Sequence, residues 1–217
     1  MALSIVAINS RDELENGTTF TMSHSCSGSN RLLVVCIPGC TTTRNFTCTS
    51  VKYNGIPLSL AVKREKTTSY YLKSYIYYLV NPPAGTYDVE VNFDIDPGEC
   101  ASMVAVSFSG ADQTDPIGAT GSNLVKDEYI SVTVSTERSN SYLIDAEGCA
   151  TVNNHEDPSQ TRIFTGMNGR TGVSYKVTGA SGNYTMLWTG TDYYRVLCVA
   201  EIKEWVPIPR SHGYIFG

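Results

Sequence analysis

Apolar and polar residues alternate with a period of two along most of this chain. The clearest stretch runs from Ser69 to Gly118. An alternating, tyrosine-rich run covers residues 70–80, and Asn81-Pro82-Pro83-Ala84-Gly85 breaks it. Two more alternating runs, 86–93 and 102–109, lead into the Gly/Asp/Pro-rich segment 110–118. Successive side chains of a strand point to opposite faces. Runs of Val, Tyr, Phe and Thr at this period, cut by Pro and Gly, therefore predict an antiparallel sheet. The same reading predicts strands over 3–9, 18–23, 31–37, 50–53, 57–63, 130–134, 141–147, 161–165, 173–177, 184–188 and 193–202. Asn54-Gly55 lies between two of these runs and is a strong hairpin signal. No segment carries an apolar stripe at helical period over several turns. The pattern predicts one all-β domain over residues 1–203, a two-sheet antiparallel β-sandwich of jelly-roll-like form.

Residues 204–217 differ. Trp205-Val206-Pro207-Ile208-Pro209 is extended and short of backbone donors, Arg210-Ser211-His212-Gly213 interrupts it, and Tyr214-Ile215-Phe216 is apolar. Such a tail can fold back onto its own sheet or dock on a neighbour's edge as an added strand. Trp205, Val206, Ile208, Tyr214 and Phe216 are its candidate assembly residues.

Composition narrows the function classes. The net charge is −5 and charged residues make up 17% of the chain, below the roughly 25% of ordinary soluble proteins. Ser, Thr, Asn, Gly and Tyr replace the missing charge, so no basic footprint for nucleic acid exists. Lys63-Arg64-Glu65-Lys66 is mixed in sign and reads as a solvated hairpin tip. The apolar run 2–8 is too short to span a bilayer and reads as a first strand, so no membrane insertion is expected.

Seven cysteines occur, with no Cys-x-x-Cys pair and no histidine at zinc-finger spacing. Cys36 and Cys198 fall inside apolar runs and read as buried thiols. Cys40 and Cys48 flank one loop and are the best disulfide candidates; Cys100 with Cys149 is the next. Asn16, Asn45 and Asn183 each begin an Asn-x-Ser/Thr acceptor sequence, at expected loops or strand ends. Cysteines and acceptor sequences together suggest an extracellular or cell-surface glycoprotein.

Catalytic signals are missing. His24, His155 and His212 lie in no catalytic motif, and there is no Gly-x-Ser-x-Gly elbow. The clusters 153–157 and 94–99 each supply too few oxygen ligands to hold a hard cation and read as polar turns. The glycine-rich segment 166–172 lacks Gly-Lys-Ser/Thr and a following helix, so it reads as a loop. No enzyme activity, metal or cofactor is expected.

Alternation in the tyrosine-rich run places Tyr71, Lys73, Tyr75 and Tyr77 on one face and Tyr70, Leu72, Ile76, Tyr78 and Val80 on the other. The second set makes the better core face. An outward row of Tyr71, Tyr75 and Tyr77 would stack on sugars or anchor a protein interface, unless a second layer covers it.

Several segments occur in a suggestive order: Asn30-Arg31-Leu32-Leu33-Val34-Val35, Val51-Lys52-Tyr53-Asn54-Gly55-Ile56-Pro57-Leu58, Tyr78-Leu79-Val80-Asn81-Pro82-Pro83-Ala84-Gly85-Thr86, Val104-Ala105-Val106-Ser107-Phe108-Ser109-Gly110-Ala111-Asp112-Gln113-Thr114 and Val199-Ala200-Glu201-Ile202-Lys203. Over residues 2–203 the chain resembles a β-sandwich module of large bacterial secreted and cell-surface proteins and of some phage structural proteins. The resemblance implies a fold and no catalytic residues. The cysteines and the tail depart from the usual module. The sequence thus points to a non-enzymatic structural subunit of an extracellular fibre, filament or layer, a homo-oligomer or polymer. The alternatives are a carbohydrate-binding, lectin-like module and a virion decoration or spike protein.

Overall fold

The computed structural model describes residues 2–98, 101–152 and 154–207. Its strands are β1 (Ser4–Arg11), β2 (Thr19–Cys26), β3 (Leu32–Thr41), β4 (Cys48–Tyr53), β5 (Ile56–Pro57), β6 (Ser59–Thr68), β7 (Tyr70–Val80), β8 (Gly85–Phe93), β9 (Met103–Ser109), β10 (Ile117–Ser135), β11 (Tyr142–Cys149), β12 (His155–Glu156), β13 (Thr161–Gly166), β14 (Thr171–Val177) and β15 (Asn183–Ile202). All pairings are antiparallel, and the fold is an all-β sandwich, as the alternation predicts.

The strands form a five-stranded sheet ordered β1-β9-β3-β7-β6, a four-stranded sheet ordered β2-β8-β4-β5, and a six-stranded sheet ordered β10-β15-β11-β14-β13 with β12 beside β15. The five-stranded sheet lies in the middle. On one face Leu33, Val35, Ile37, Tyr75, Tyr77 and Met103 meet Phe20, Val51, Tyr53, Val89, Val91 and Phe93 of the four-stranded sheet. On the other, Leu32, Val34, Cys36, Ile76, Val104 and Val106 meet Ile144, Ala146, Val173, Cys198 and Ala200 of the six-stranded sheet. Every residue of β3 and β9 is buried. A strand covered on both faces must be apolar at consecutive positions, which explains the unbroken runs Leu32-Leu33-Val34-Val35-Cys36-Ile37 and Met103-Val104-Ala105-Val106.

β10 and β15 form one long antiparallel ribbon, from Ile117 opposite Ile202 to Ser135 opposite Asn183, with register shifts at Ile117/Thr120 and at Asp127/Tyr129. At the second shift the ribbon folds back on itself. Asn123 Nδ2 donates to the Ser131 carbonyl at 3.0 Å, and a side chain on Gly121 would meet Val132 at 2.6 Å. The returning half lays Ile130, Val132, Val134, Met186 and Trp188 over Leu143, Leu197 and Val199, closing a further apolar layer.

Local chemistry accounts for the turns. Asn54 and Gly55 both have positive φ (49° and 76°), as a two-residue hairpin turn with the right twist requires. Lys63-Arg64-Glu65-Lys66 is not a hairpin tip, contrary to expectation. It lies inside β6, and the chain reverses at Ser69 (φ 68°). β6 is an edge strand, which accommodates charge. The glycine-rich segment is a tight turn between β13 and β14, with Met167, Asn168 and Gly169 all at positive φ.

Candidate assembly surface

The C-terminal exit is built from the end of β15. Glu204 bridges to Ala111, and Trp205 N–H donates to the Gly110 carbonyl at 2.8 Å. Two buried side chains pin this end. The Glu201 carboxylate accepts from Ser141 Oγ (2.7 Å) and from the N–H groups of Ala119 (2.9 Å), Glu137 (2.9 Å) and Arg138 (3.1 Å). Lys203 Nζ donates to Asp115 at 2.6 Å and to Glu137 at 2.8 Å. Burial opposes the charge on Lys203, yet these two carboxylates hold its pKa above the usual lysine value. Beyond this anchor Trp205 is 37% and Val206 50% exposed, above a groove of about 310 Å³ lined by Asp112, Gln113, Thr114, Asp115 and Arg138. Of the expected assembly residues, Trp205 and Val206 are therefore at the surface. Ile208, Tyr214 and Phe216 lie outside the described residues.

The edges of the middle sheet are unlike each other. β6 carries Lys63, Arg64 and Glu65 and has β10 and β15 packed against it. β1 pairs with β9 alone. It exposes Val6 (37%) and Ile8 (42%), carries no charge before Arg11, and keeps regular register from Ala7 to Arg11 after a bulge at its start. Sequence reasoning foresaw β1 as a strand but not as an edge, because edge position is a property of sheet order.

The expected outward tyrosine row is overturned. Lys73, Tyr75 and Tyr77 are buried beneath the four-stranded sheet, and Tyr71 is half-buried. Both faces of β7 are core faces, so alternation could not distinguish an outer one. The Tyr75 hydroxyl donates to Glu65. Burial and that carboxylate raise its pKa, and burial also raises that of Tyr77. Lys73 Nζ donates to Asn45 Oδ1 at 2.9 Å and lies 3.9 Å from Glu65; burial lowers its pKa. The accessible aromatic cluster instead combines Tyr70 with Tyr193 and Tyr194. The Tyr70 and Tyr193 hydroxyls are hydrogen-bonded, and Lys66 Nζ lies 4.3 Å from the Tyr194 ring centroid.

No disulfide joins Cys40 to Cys48. Both are buried thiols, as is Cys149, whose expected partner Cys100 lies outside the described residues. Cys48 and Cys149 each face apolar packing or a buried ion pair, and burial pushes their pKa values up to about 12 and about 11. Asn16, Asn45 and Asn183 are all exposed. Among the described residues no group of three or more His, Cys, Asp or Glu converges as a metal site. Asp94 accepts from the N–H groups of Thr47, in the loop before β4, and of its neighbour Ile95, and Asp96 accepts from the Gly98 N–H within its turn. Among the described residues no helix is long and apolar enough to cross a membrane.

A buried polar network, which no motif or periodicity announces, lies under the folded-back ribbon. Asp145 Oδ2 accepts from Trp188 Nε1 at 2.8 Å, and Asp145 Oδ1 accepts from Ser174 N–H at 2.7 Å. Burial outweighs these donors and raises the Asp145 pKa to about 7. Next to it, Glu147 pairs with Arg195 and accepts from Asn154 Nδ2 at 2.9 Å. Gln160 ties β11 to the returning part of the ribbon by donating to Asp145 and accepting from Leu187 N–H at 2.6 Å. Among the described residues this network is satisfied internally except at Asn154 Oδ1, which is buried without a hydrogen-bond partner.

No known family model matches the chain, and no curated protein is similar to it.

Proposed function

We propose that this chain is a non-enzymatic structural subunit of an extracellular fibre, filament or layer, assembling through sheet edges and its C-terminal tail. One observation carries the reading: a firmly anchored exit presents Trp205 and Val206 to solvent at the point where the tail leaves the sandwich. Apolar residues at such a place gain by being covered, and a tail that is apolar further on supplies a means of joining copies. The exposed acceptor asparagines support the extracellular setting. The resemblance of the strand and turn motifs to modules of bacterial surface and phage structural proteins agrees with a scaffolding role. Negative-stain microscopy and sedimentation velocity of the full chain at rising concentration test it. Concentration-dependent oligomers or filaments are expected, and a monodisperse monomer at the highest concentrations would sink the reading.

A second reading, a carbohydrate-binding module, moves from Tyr71, Tyr75 and Tyr77 to Tyr70, Tyr193 and Tyr194, whose rings wedge one another into fixed positions. Glycan-array binding that disappears in Tyr193→Ala would favour it.

A further inference from the structure

We propose that Lys73 and Asn45 join in an intramolecular amide, formed side chain to side chain with loss of ammonia. The bond lies inside one chain and is independent of how copies assemble.

Separate elements bring the two groups together. Lys73 lies on β7 with its side chain fully buried, and Glu65 of β6 stands directly opposite it in the register. Asn45 comes from the loop between β3 and β4, and that loop is pinned on both sides of it. Arg44 pairs with Asp96 at 2.7 Å. Phe46 is buried edge-on against Phe93, with ring centroids 5.3 Å apart. Thr47 N–H donates to Asp94 at 2.6 Å. The Asn45 carboxamide is thereby held against Lys73, with Nζ 2.9 Å from Oδ1. That contact puts the amine beside the Asn45 Cγ carbon, and holding two reactants together in this way replaces a bimolecular encounter.

The surroundings suit an amine better than an ammonium. An ammonium has three N–H donors to satisfy. Among the described residues Nζ has one hydrogen-bond partner, Asn45, while Glu65 stays 3.9 Å away and the Phe46 ring centroid lies 5.8 Å from it. Burial outweighs the nearby Glu65 and Asp94 and lowers the Lys73 pKa, which frees a lone pair for attack. The amide removes the buried charge and leaves a single N–H to satisfy.

Glu65 is placed to act as the base. Its carboxylate accepts from the Tyr75 hydroxyl, which fixes its direction, and it reaches Nζ after a small movement or through one water. The Nζ lone pair attacks Asn45 Cγ, and the proton shed by Nζ passes to Glu65 and on to the departing amide nitrogen. The Nζ–Cγ bond forms, the Cγ–Nδ2 bond breaks, and ammonia leaves past Asn45, which is exposed. The balance needs no other reactant. The product ties the loop leading into β4 of the four-stranded sheet to β7 of the middle sheet. It also withdraws Asn45 from the glycan acceptors, because the nitrogen a glycan would take is lost.

The test is intact-mass spectrometry of the full chain, denatured and reduced, after expression in a host without N-glycosylation. A mass about 17 Da below that of the sequence is expected, together with a branched proteolytic peptide joining the segments that hold Asn45 and Lys73. Lys73→Met and Asn45→Ala are expected to match their own sequence masses. So is Glu65→Gln, shown to be folded by far-UV circular dichroism. A wild type at full sequence mass, with Asn45 and Lys73 in separate unmodified peptides, overturns the proposal whatever the variants do. A deficit that survives in Lys73→Met comes from another amide and overturns it too. A deficit in Glu65→Gln equal to that of the wild type overturns the role given to Glu65.

Discussion

Arg195 and Glu147 form an ion pair 3.3 Å apart with both side chains fully buried. Arg195 also donates to the backbone carbonyls of Asp127 (3.2 Å) and Thr191 (3.4 Å), the two sides of the ribbon bend. The pair therefore holds the fold-back. Removing one partner strands a buried charge, which costs about 3–5 kcal/mol. Arg195→Met is expected to destabilise by that amount in urea unfolding, whereas Arg195→Met with Glu147→Leu is expected to recover much of it. A near-neutral single variant would contradict this role.

Asp145 gives the stability a pH slope. Its folded pKa is raised from 3.8 to about 7, so between those values the unfolded chain ionises while the folded one keeps its proton. Stability is then lost as pH rises from about 4 to about 7 and is level above. The total is about 4 kcal/mol at most. Urea midpoints of wild type and Asp145→Asn across pH 4–8 measure it, and the wild type is expected to show the steeper decline. Parallel profiles would contradict the assignment.

His24 slopes the other way. Burial lowers its pKa from 6.5 to about 4, and its Nε2 has no hydrogen-bond partner. Below pH 6.5 the unfolded chain protonates first, so stability falls as pH drops towards 4. The expected loss is about 3 kcal/mol relative to His24→Gln. Thermal melts of the two proteins at pH 7 and pH 4.5 give the comparison.

Gly172 has no room for a side chain: a Cβ there would sit 2.3 Å from the Trp188 ring. Trp188 is held by its bond to Asp145 and cannot retreat freely. Gly172→Ala is expected to cost about 1–3 kcal/mol through overpacking. By contrast, Gly17→Ala, where nothing lies within 4 Å, is expected to leave the urea midpoint nearly unchanged.

Asn45 partners the buried Lys73 ammonium. Asn45→Ala leaves that ammonium without its hydrogen bond and is expected to cost about 1–3 kcal/mol. Lys73→Met in the same background is expected to restore part of the loss.

Alternation made the all-β fold legible, because period two is imposed by strand geometry itself. Asn54-Gly55 was legible for the same reason, since few other residues accept two positive φ values in succession. β10 was not: Gly118, Gly121, Asn123, Lys126, Asp127 and Glu128 dilute the apolar pattern, and this strand is held by pairing with β15 over its whole length. The tyrosine row failed at the next level up. Residues 71–77 alternate correctly, but whether a face meets water depends on a sheet contributed by residues 19–26, 48–57 and 85–93. For the same reason, Asp145, Glu147 and Arg195 read as ordinary strand-surface charges until the ribbon folds over them. The exposed end of the sandwich was the most legible part of the candidate surface, since Trp205-Val206-Pro207 signals its own departure from the sheet.

β15 lies between β10 and β11, paired on both sides, and leads directly into the tail. If neighbours hold one another by that tail, any pull between them enters along the axis of β15. Both ladders are then loaded in shear, so their hydrogen bonds must yield together instead of opening one after another. The strand that carries the link outward is also the one the fold grips most firmly.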